Sequence, residues 1–530
     1  MSYLKNFKMI NRILALGCVI QLICFSASWA SGKIYKILDY GAKGDGITLN
    51  TEAIQRTIDE CHANGGGSVL VPEGRFLTGT VELKDNVTLY LEKGAVLLGS
   101  TDLEDYKNVD LFTEGLGIDV GWALVVAVGA KNIGIAGQGA IDGQGAALKE
   151  RHIQTDRRPE GERWGRRPFL LRIVRCEGVN ITGVSLLYAG AWTSHYFQSR
   201  DITIENVRII SRGVAHNDGI GIDGCQNVRI SNCDIDSGDD ALVFKTTSSK
   251  MACKDIEVSR MRLKSNQAGI KMGTESMANF ENIHIWDCHI YDTRNGGIKL
   301  LTVDGAHLKN VVISDVTMDN VRTPMLFRLG SRLSVFRKDS DEQQVTGTFE
   351  NVLIKNIKAK AASEAQLTPP SGILITGVSG HYISGLTLEN IEIDLAGGGS
   401  HSDAHAEVPE AVDQYPEIKT FGPKIPAYGV WARHVKGLKL KNVAFVLDEN
   451  DLRPALVCED CIDLEVNDWT IPETTGAESI IRLTNVKNVK IANNRVDGSA
   501  DSFVQATEGK NIKLKKNNMD EQIGKSLIKY

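Results

Sequence analysis

Residues 226–245 read QNVRISNCDIDSGDDALVFK. Val228, Ile230, Cys233 and Ile235 alternate with polar residues, the period-two pattern of a half-buried strand. The same pattern recurs along the chain. It is found in GVNITGVSL (178–186), SRDITIENVRI (199–209), CKDIEVSRMRL (253–263), FENIHIWDCHI (280–290) and LKNVVISDVTM (308–318). Further copies are FENVLIKNIKA (349–359), ISGLTLENIEI (383–393), VKGLKLKNVAF (435–445), CIDLEVNDWTI (461–471) and VKNVKIANNRV (486–496). Each carries a small polar residue, often Asn, where the chain must turn. The first apolar residues of the early copies are Val179, Ile202, Val228, Ile256, Ile283 and Val311, at steps of 23, 26, 28, 27 and 28 residues.

Repeats of this length belong to solenoids. A helical solenoid needs long runs of 3.6 periodicity, and a leucine-rich repeat needs its LxxLxL signature; neither is present. The pattern predicts an all-β chain wound as a parallel β-helix, each coil pairing with the coils before and after it. Turn asparagines of successive coils are expected to hydrogen-bond in a stack. The run TEAIQRTIDECHANGG (51–66) has helical spacing at Ala53, Ile54, Ile58 and Cys61 and a glycine stop, so it predicts an amphipathic helix covering the first coil. Three insertions, 148–168, 338–348 and 400–426, are candidates for the loops that build a binding face.

Composition sets the class. The 530 residues are 42% hydrophobic, with 52 Gly and 12 Pro, enough for a large core and many turns. A formal net charge of −6 argues against nucleic-acid binding driven by bulk charge. Residues 1–30 read as a secretory leader: Lys5, Lys8 and Arg12 precede the apolar run ILALGCVIQLICF, and small residues place cleavage after Ala30. The expected mature unit is 31–530, exported to the periplasm or the exterior, with Cys18 and Cys24 as candidate lipid-attachment sites. No later run is long and apolar enough to span a bilayer. Eight cysteines remain, and they read as buried core thiols that an oxidising compartment could pair. A single CxxC, Cys458 and Cys461, makes no zinc site, and neither a metal nor another cofactor is expected.

Within the opening stretch, Gly238 interrupts the strand and Asp239 and Asp240 follow. One coil earlier, HNDGIGIDG supplies Asp218 and Asp223. Coils stack at strand spacing, roughly 4.8 Å, so Asp218 is expected beside the acidic pair. Three carboxylates would then share one exposed outer groove. Glycoside hydrolysis uses two such groups, one protonated and one ionised. Solvated turn aspartates or a calcium site are the other readings of the pattern.

The chain resembles glycoside hydrolase family 28, the polygalacturonase family. The resemblance rests on DYGAKGDGITLNTEAIQRTIDECHANGGGSVLVPEGRFLTGTVELKDNVTLYLEKGAVLLGS (39–100), GQGAIDGQG, AWTSHYFQSRDITIENVRI and NDGIGIDGCQNVRISNCDIDSGDDALVFK. It implies a right-handed parallel β-helix and an inverting hydrolase acting on α-linked galacturonic acid in a pectic polysaccharide or oligosaccharide; a monomer is expected. The family's Asn-x-Asp motif falls on His216-Asn217-Asp218 and its acidic pair on Asp239 and Asp240. By resemblance Asp239 is the general acid, and Asp218 and Asp240 hold and deprotonate the attacking water.

The chain also departs from the family. Gln267 takes the place of a family histidine, and Gly297-Ile298-Lys299 that of Arg-Ile-Lys. Lysine is kept, but the bidentate fork of arginine is lost. Arg294 and Lys271 are candidates to replace it, and His216 a candidate for the missing imidazole. Trp192, Trp164, Tyr428 and Trp431 are candidate sugar platforms or core fillers. The run Arg157, Arg158, Arg163, Arg166 and Arg167 would attract an anionic polymer locally. The late insertion, which carries His401 and His405, is expected to wall off one end of the groove, favouring attack from a chain end or on rhamnogalacturonan. A calcium-dependent pectate lyase and a non-catalytic carbohydrate-binding β-helix remain as alternatives.

Overall fold

The computed structural model describes residues 33–115, 117–155, 166–337 and 343–529. The leader, with Cys18 and Cys24, lies outside them, as do Arg157, Arg158, Arg163 and Trp164. No helix among the described residues is long and apolar enough to cross a membrane.

The chain is a parallel β-helix. The repeat read from the sequence is the coil itself. Val179 pairs with Ile202, Ile202 with Val228, Val228 with Ile256, Ile256 with Ile283, and Ile283 with Val311. Inward residues of all coils form one continuous core that runs from Tyr35 to Ile523. Bends between faces are made by residues with left-handed backbone, among them Asn282, Asn310, Asn351, Asn356, Asn390 and Asn442 with φ of 50–56°. Asparagine tolerates that region because its short polar side chain bonds locally. Here the bonds run between coils. Asn310 donates to Asn282 at 3.1 Å, Asn351 to Asn310 at 2.7 Å, and Asn442 to Asn390 at 2.8 Å.

The helix spans Thr51–Ala63 and buries Ala53, Ile54, Thr57, Ile58 and Cys61 against the first strands. The eight described cysteines are free and buried.

One ladder carries the site. It includes Phe169–Val174, Ser194–Phe197, Ile220–Asp223, Leu242–Thr246, Ala268–Ser276, Gly296–Thr302, Met325–Leu329, Ile373–Thr376 and Val430–Lys436. Most of its residues are buried on both faces, so its outer face must be covered. An antiparallel hairpin, Lys107–Thr113 with Asp119–Val128, lays Phe112 and Val120 over Phe169 and Trp192 at one end. At the other end the insertion after Ile383–Leu395 lays Ile418, Phe421 and Ile425 over Leu326, Leu374 and Trp431. Between these two apolar lids the outer face is charged.

Candidate active site

Parallel register fixes the acids. Ile220 lies opposite Leu242, so two residues back Asp218 lies opposite Asp240. The ladder continues to that point, with the Gly219 N–H donating to the Asp240 carbonyl at 2.9 Å. In the same register Asp239 heads a row continued by Gln267 and Asn295. Gly238 has a specific reason to be glycine: a β-carbon there would stand 2.3 Å from Asn217 Oδ1. The turn that presents the acidic pair closes directly onto the residue before Asp218.

The three carboxylates line a cleft of about 490 Å³. They are less open than the sequence reading expects. Asp218 and Asp240 are only 3% and 2% exposed, and Asp239 is half-buried. The covering segments, which the sequence does not place, close the groove around them. Asp240 accepts the Ala268 N–H at 3.0 Å and Lys271 Nζ at 2.8 Å. Asp218 pairs with Lys245 at 3.4 Å, and Lys245 with Glu275 at 3.1 Å. Asp239 accepts the Asp240 N–H at 2.9 Å, and no lysine or arginine among the described residues forms an ion pair with it. Burial, reinforced by the neighbouring Asp240 carboxylate, pushes Asp239 up to about 6. Burial also pushes Asp218 well above the usual carboxylate range, with Lys245 pulling it back.

Lys245, Lys271 and Lys299 point outward from three successive strands, and all three are buried. Lys271 lies opposite Lys299 in the ladder; the next position, Leu326, is apolar. Lys299 is covered by Glu417 of the late insertion, at 2.9 Å, and does not line the cleft. Lys271 lines it, 3.9 Å from the same carboxylate. Lys299 and Lys271 overcome burial and hold Glu417 down at about 2. Gln267 also lines the cleft and accepts from Asn295 at 2.6 Å. His216 lines it as well, and burial, with Arg167 and Lys245 nearby, lowers its imidazole to about 4. It is therefore neutral at pH 7.

Arg294 is placed elsewhere. It is exposed across the turn, in a separate cleft with Arg212, Asp236, Lys264 and Arg322, because Thr293 and Arg294 precede the bend that turns the chain into the site strand. It cannot replace the family arginine. Trp192 reaches the cleft with Lys245 Nζ 4.3 Å from its ring centroid, yet it is 5% exposed and stacked on Phe169 at 5.0 Å. Tyr428 and Trp431 are buried and offer no sugar platform. Arg166 pairs with Glu104, while Arg167 is buried and donates to the carbonyls of Gly190 and Ala215. Asp223 does not line the cleft; it holds His195 and Thr247. His401 and His405 pair with Glu478, and no cluster among the described residues is arranged to hold a metal.

Lys245, Glu275, Glu114, Tyr415 and Glu417 also line the cleft, and sequence reading missed them. Lys245 was legible, since it stands two residues from Val243, which pairs with Lys271, and so shares its face. Glu114 and Glu417 come from segments outside the coil repeat, where no periodicity reports position.

Comparison with known proteins agrees with this geometry. The family model described as glycosyl hydrolases family 28 matches residues 61–413. A probable polygalacturonase from Vitis vinifera is 27% identical over 387 residues, 69% of this chain and 78% of that protein. An exopolygalacturonase structure from Thermotoga maritima is 25% identical with a TM-score of 0.57, covering 69% of this chain and 87% of that one. A Yersinia enterocolitica family 28 exopolygalacturonase, at 19% identity and TM-score 0.63, shares the fold over 87% of this chain and 79% of its own. With two thirds of its length matched by the family model and the acidic residues gathered in one cleft, the chain belongs to glycosyl hydrolases family 28.

Proposed function

We propose that the protein is an exported pectin-degrading hydrolase that cleaves α-linked galacturonic acid from a chain end with inversion. The observation that carries this reading is the asymmetry among the three acids. Asp218 and Asp240 each have a lysine; Asp239 has none among the described residues, and its pKa is raised to about 6. Three crowded carboxyls resist ionising together, and a proton held on Asp239, the one with no ion pair to a lysine among the described residues, is available to the leaving oxygen. Asp239 is then the general acid for the leaving oxygen. Asp218 and Asp240, paired with Lys245 and Lys271, hold the water and take its proton. The carboxylates stay fixed because Asp239 and Asp240 each accept a backbone N–H and Asp218 is held by Lys245, so little reorganisation accompanies reaction. Attack from a chain end is supported by the two covering segments, which place Glu114 at one side of the cleft and Tyr415 and Glu417 at the other.

The test is incubation with pectic fractions, with products resolved by size and the first-formed anomer read by proton NMR. Release of monomer or dimer with inverted configuration is expected. An unsaturated product absorbing in the ultraviolet would make the protein a lyase, and no product from any fraction would leave it a binding protein.

A further inference from the structure

The late insertion does more than wall the cleft. It delivers a carboxylate to the point where the outward lysines end. Glu417 pairs with Lys299 at 2.9 Å, lies 3.9 Å from Lys271, and accepts a further bond from Asn295 Nδ2. Its position is built rather than incidental. Ile418, Phe421 and Ile425 are buried against Leu326 and Trp431. Upstream in the insertion, Glu410 pairs with Arg433 at 3.0 Å, and Arg328 donates to the Glu410 carbonyl at 3.0 Å. Two lysines on adjacent strands beside three catalytic acids, Lys271 lining the cleft and Lys299 covered by Glu417, would form an anion subsite without that carboxylate. Here the protein's own chain fills it.

We infer that Glu417 is a specificity-determining residue that occupies, with a fixed negative charge, the place a substrate carboxylate would take beside Lys271 and Lys299. This rests on the hydrolase reading above and names the substrate class. A uronate brought to that end of the cleft meets a carboxylate whose lysines are already engaged, and like charges brought together in a desolvated site repel. A neutral sugar meets no such penalty, and its hydroxyls find hydrogen-bonding groups on Glu417, Gln267 and Tyr415, all of which line the cleft. The favoured substrate therefore carries galacturonate at the attacked position and a neutral sugar, such as rhamnose, on the side of Lys271.

The experiment measures binding, so that it does not depend on turnover. In an Asp239→Asn background, tetragalacturonate and a tetramer of alternating galacturonate and rhamnose are titrated by calorimetry, with and without Glu417→Gln. Tetragalacturonate should bind at least tenfold tighter after Glu417→Gln, while the alternating tetramer changes less than threefold or weakens. An unchanged ratio between the two ligands would overturn the inference. Glu417→Gln leaves Lys299 buried without its partner, so Lys299→Met/Glu417→Gln is measured alongside it. That pair removes the fixed negative charge without stranding a lysine, and discrimination against tetragalacturonate should shrink there too. If the double variant discriminates as the parent does, Glu417 does not set specificity. Hydrolysis by the unaltered chain is scored separately, so a failure of the catalytic reading appears as absence of products and not as a changed binding ratio.

Discussion

At the residue scale the three acids are not equivalent, and substitution should separate them. Asp239→Asn keeps an oxygen for the Asp240 N–H and disturbs no ion pair. It is expected to lower kcat by about 10²–10⁴-fold, with a melting temperature close to that of the parent. Asp240→Asn should lose activity as severely and also lose stability. It takes the closest carboxylate from buried Lys271, and breaking a buried pair costs roughly 3 kcal/mol or more. Thermal unfolding of the two variants side by side checks this. The pH dependence follows from Asp239. Its carboxyl is raised from 3.8 to about 6, so the native state holds a proton that the unfolded chain gives up. That contribution to stability is fully present below about pH 4 and is lost as pH rises through about 6. The alkaline limb of kcat/KM should fall in the same region, because a general acid must be protonated to act. Asp239→Asn should flatten the stability trend between these pH values. An alkaline limb near pH 8 would mean that another group supplies the proton.

At the scale of elements, the coils hold together through ladders, and the asparagine ladder is testable. Asn310 has φ of +56°, donates to Asn282 and accepts from Asn351. Asn310→Ala loses both bonds and strains the left-handed backbone, whereas Asn310→Gly loses only the bonds. With about 0.5–1.5 kcal/mol for each of the two hydrogen bonds and about 1 kcal/mol for the backbone, alanine should destabilise by about 2–4 kcal/mol and glycine by less. The order glycine above alanine in thermal stability is the outcome to check. These ladders also explain what could be read in advance. Val179, Ile202 and Val228 became register partners because period-two burial in a coil admits one phase, and a slip would turn every apolar residue outward. Asp218 and Asp240 followed from the same phase. Arg294 did not, because the bend just after it decides which cleft a side chain enters, and bend geometry is invisible to a count of alternations. Lys299 lies opposite Lys271 in the ladder. Its covering partner, however, comes from an insertion 118 residues further along, where no repeat constrains the path.

At the scale of the whole molecule, charge works against a polyanionic substrate. The chain carries −6 formally, and the cleft is lined by six carboxylic acids, Glu114, Asp218, Asp239, Asp240, Glu275 and Glu417, against three lysines, Lys245, Lys271 and Lys419. Lys419 is exposed at the mouth, whereas Lys245 and Lys271 are buried in ion pairs. A long-range field of this sign slows the approach of a polygalacturonate, and salt screens it, since the Debye length shrinks from about 30 Å at 0.01 M to about 8 Å at 0.15 M. The value of kcat/KM on oligogalacturonate should therefore rise between those ionic strengths, by about two- to tenfold if encounter contributes to the rate. On fragments in which neutral sugars alternate with galacturonate the rise should be smaller, because fewer charges are brought to the cleft. A rate that instead falls with salt on both substrates would show that cations outside this cleft, such as Arg294 in the cleft across the turn, govern approach. In that case the polymer reaches the acids across the turn that separates the two clefts.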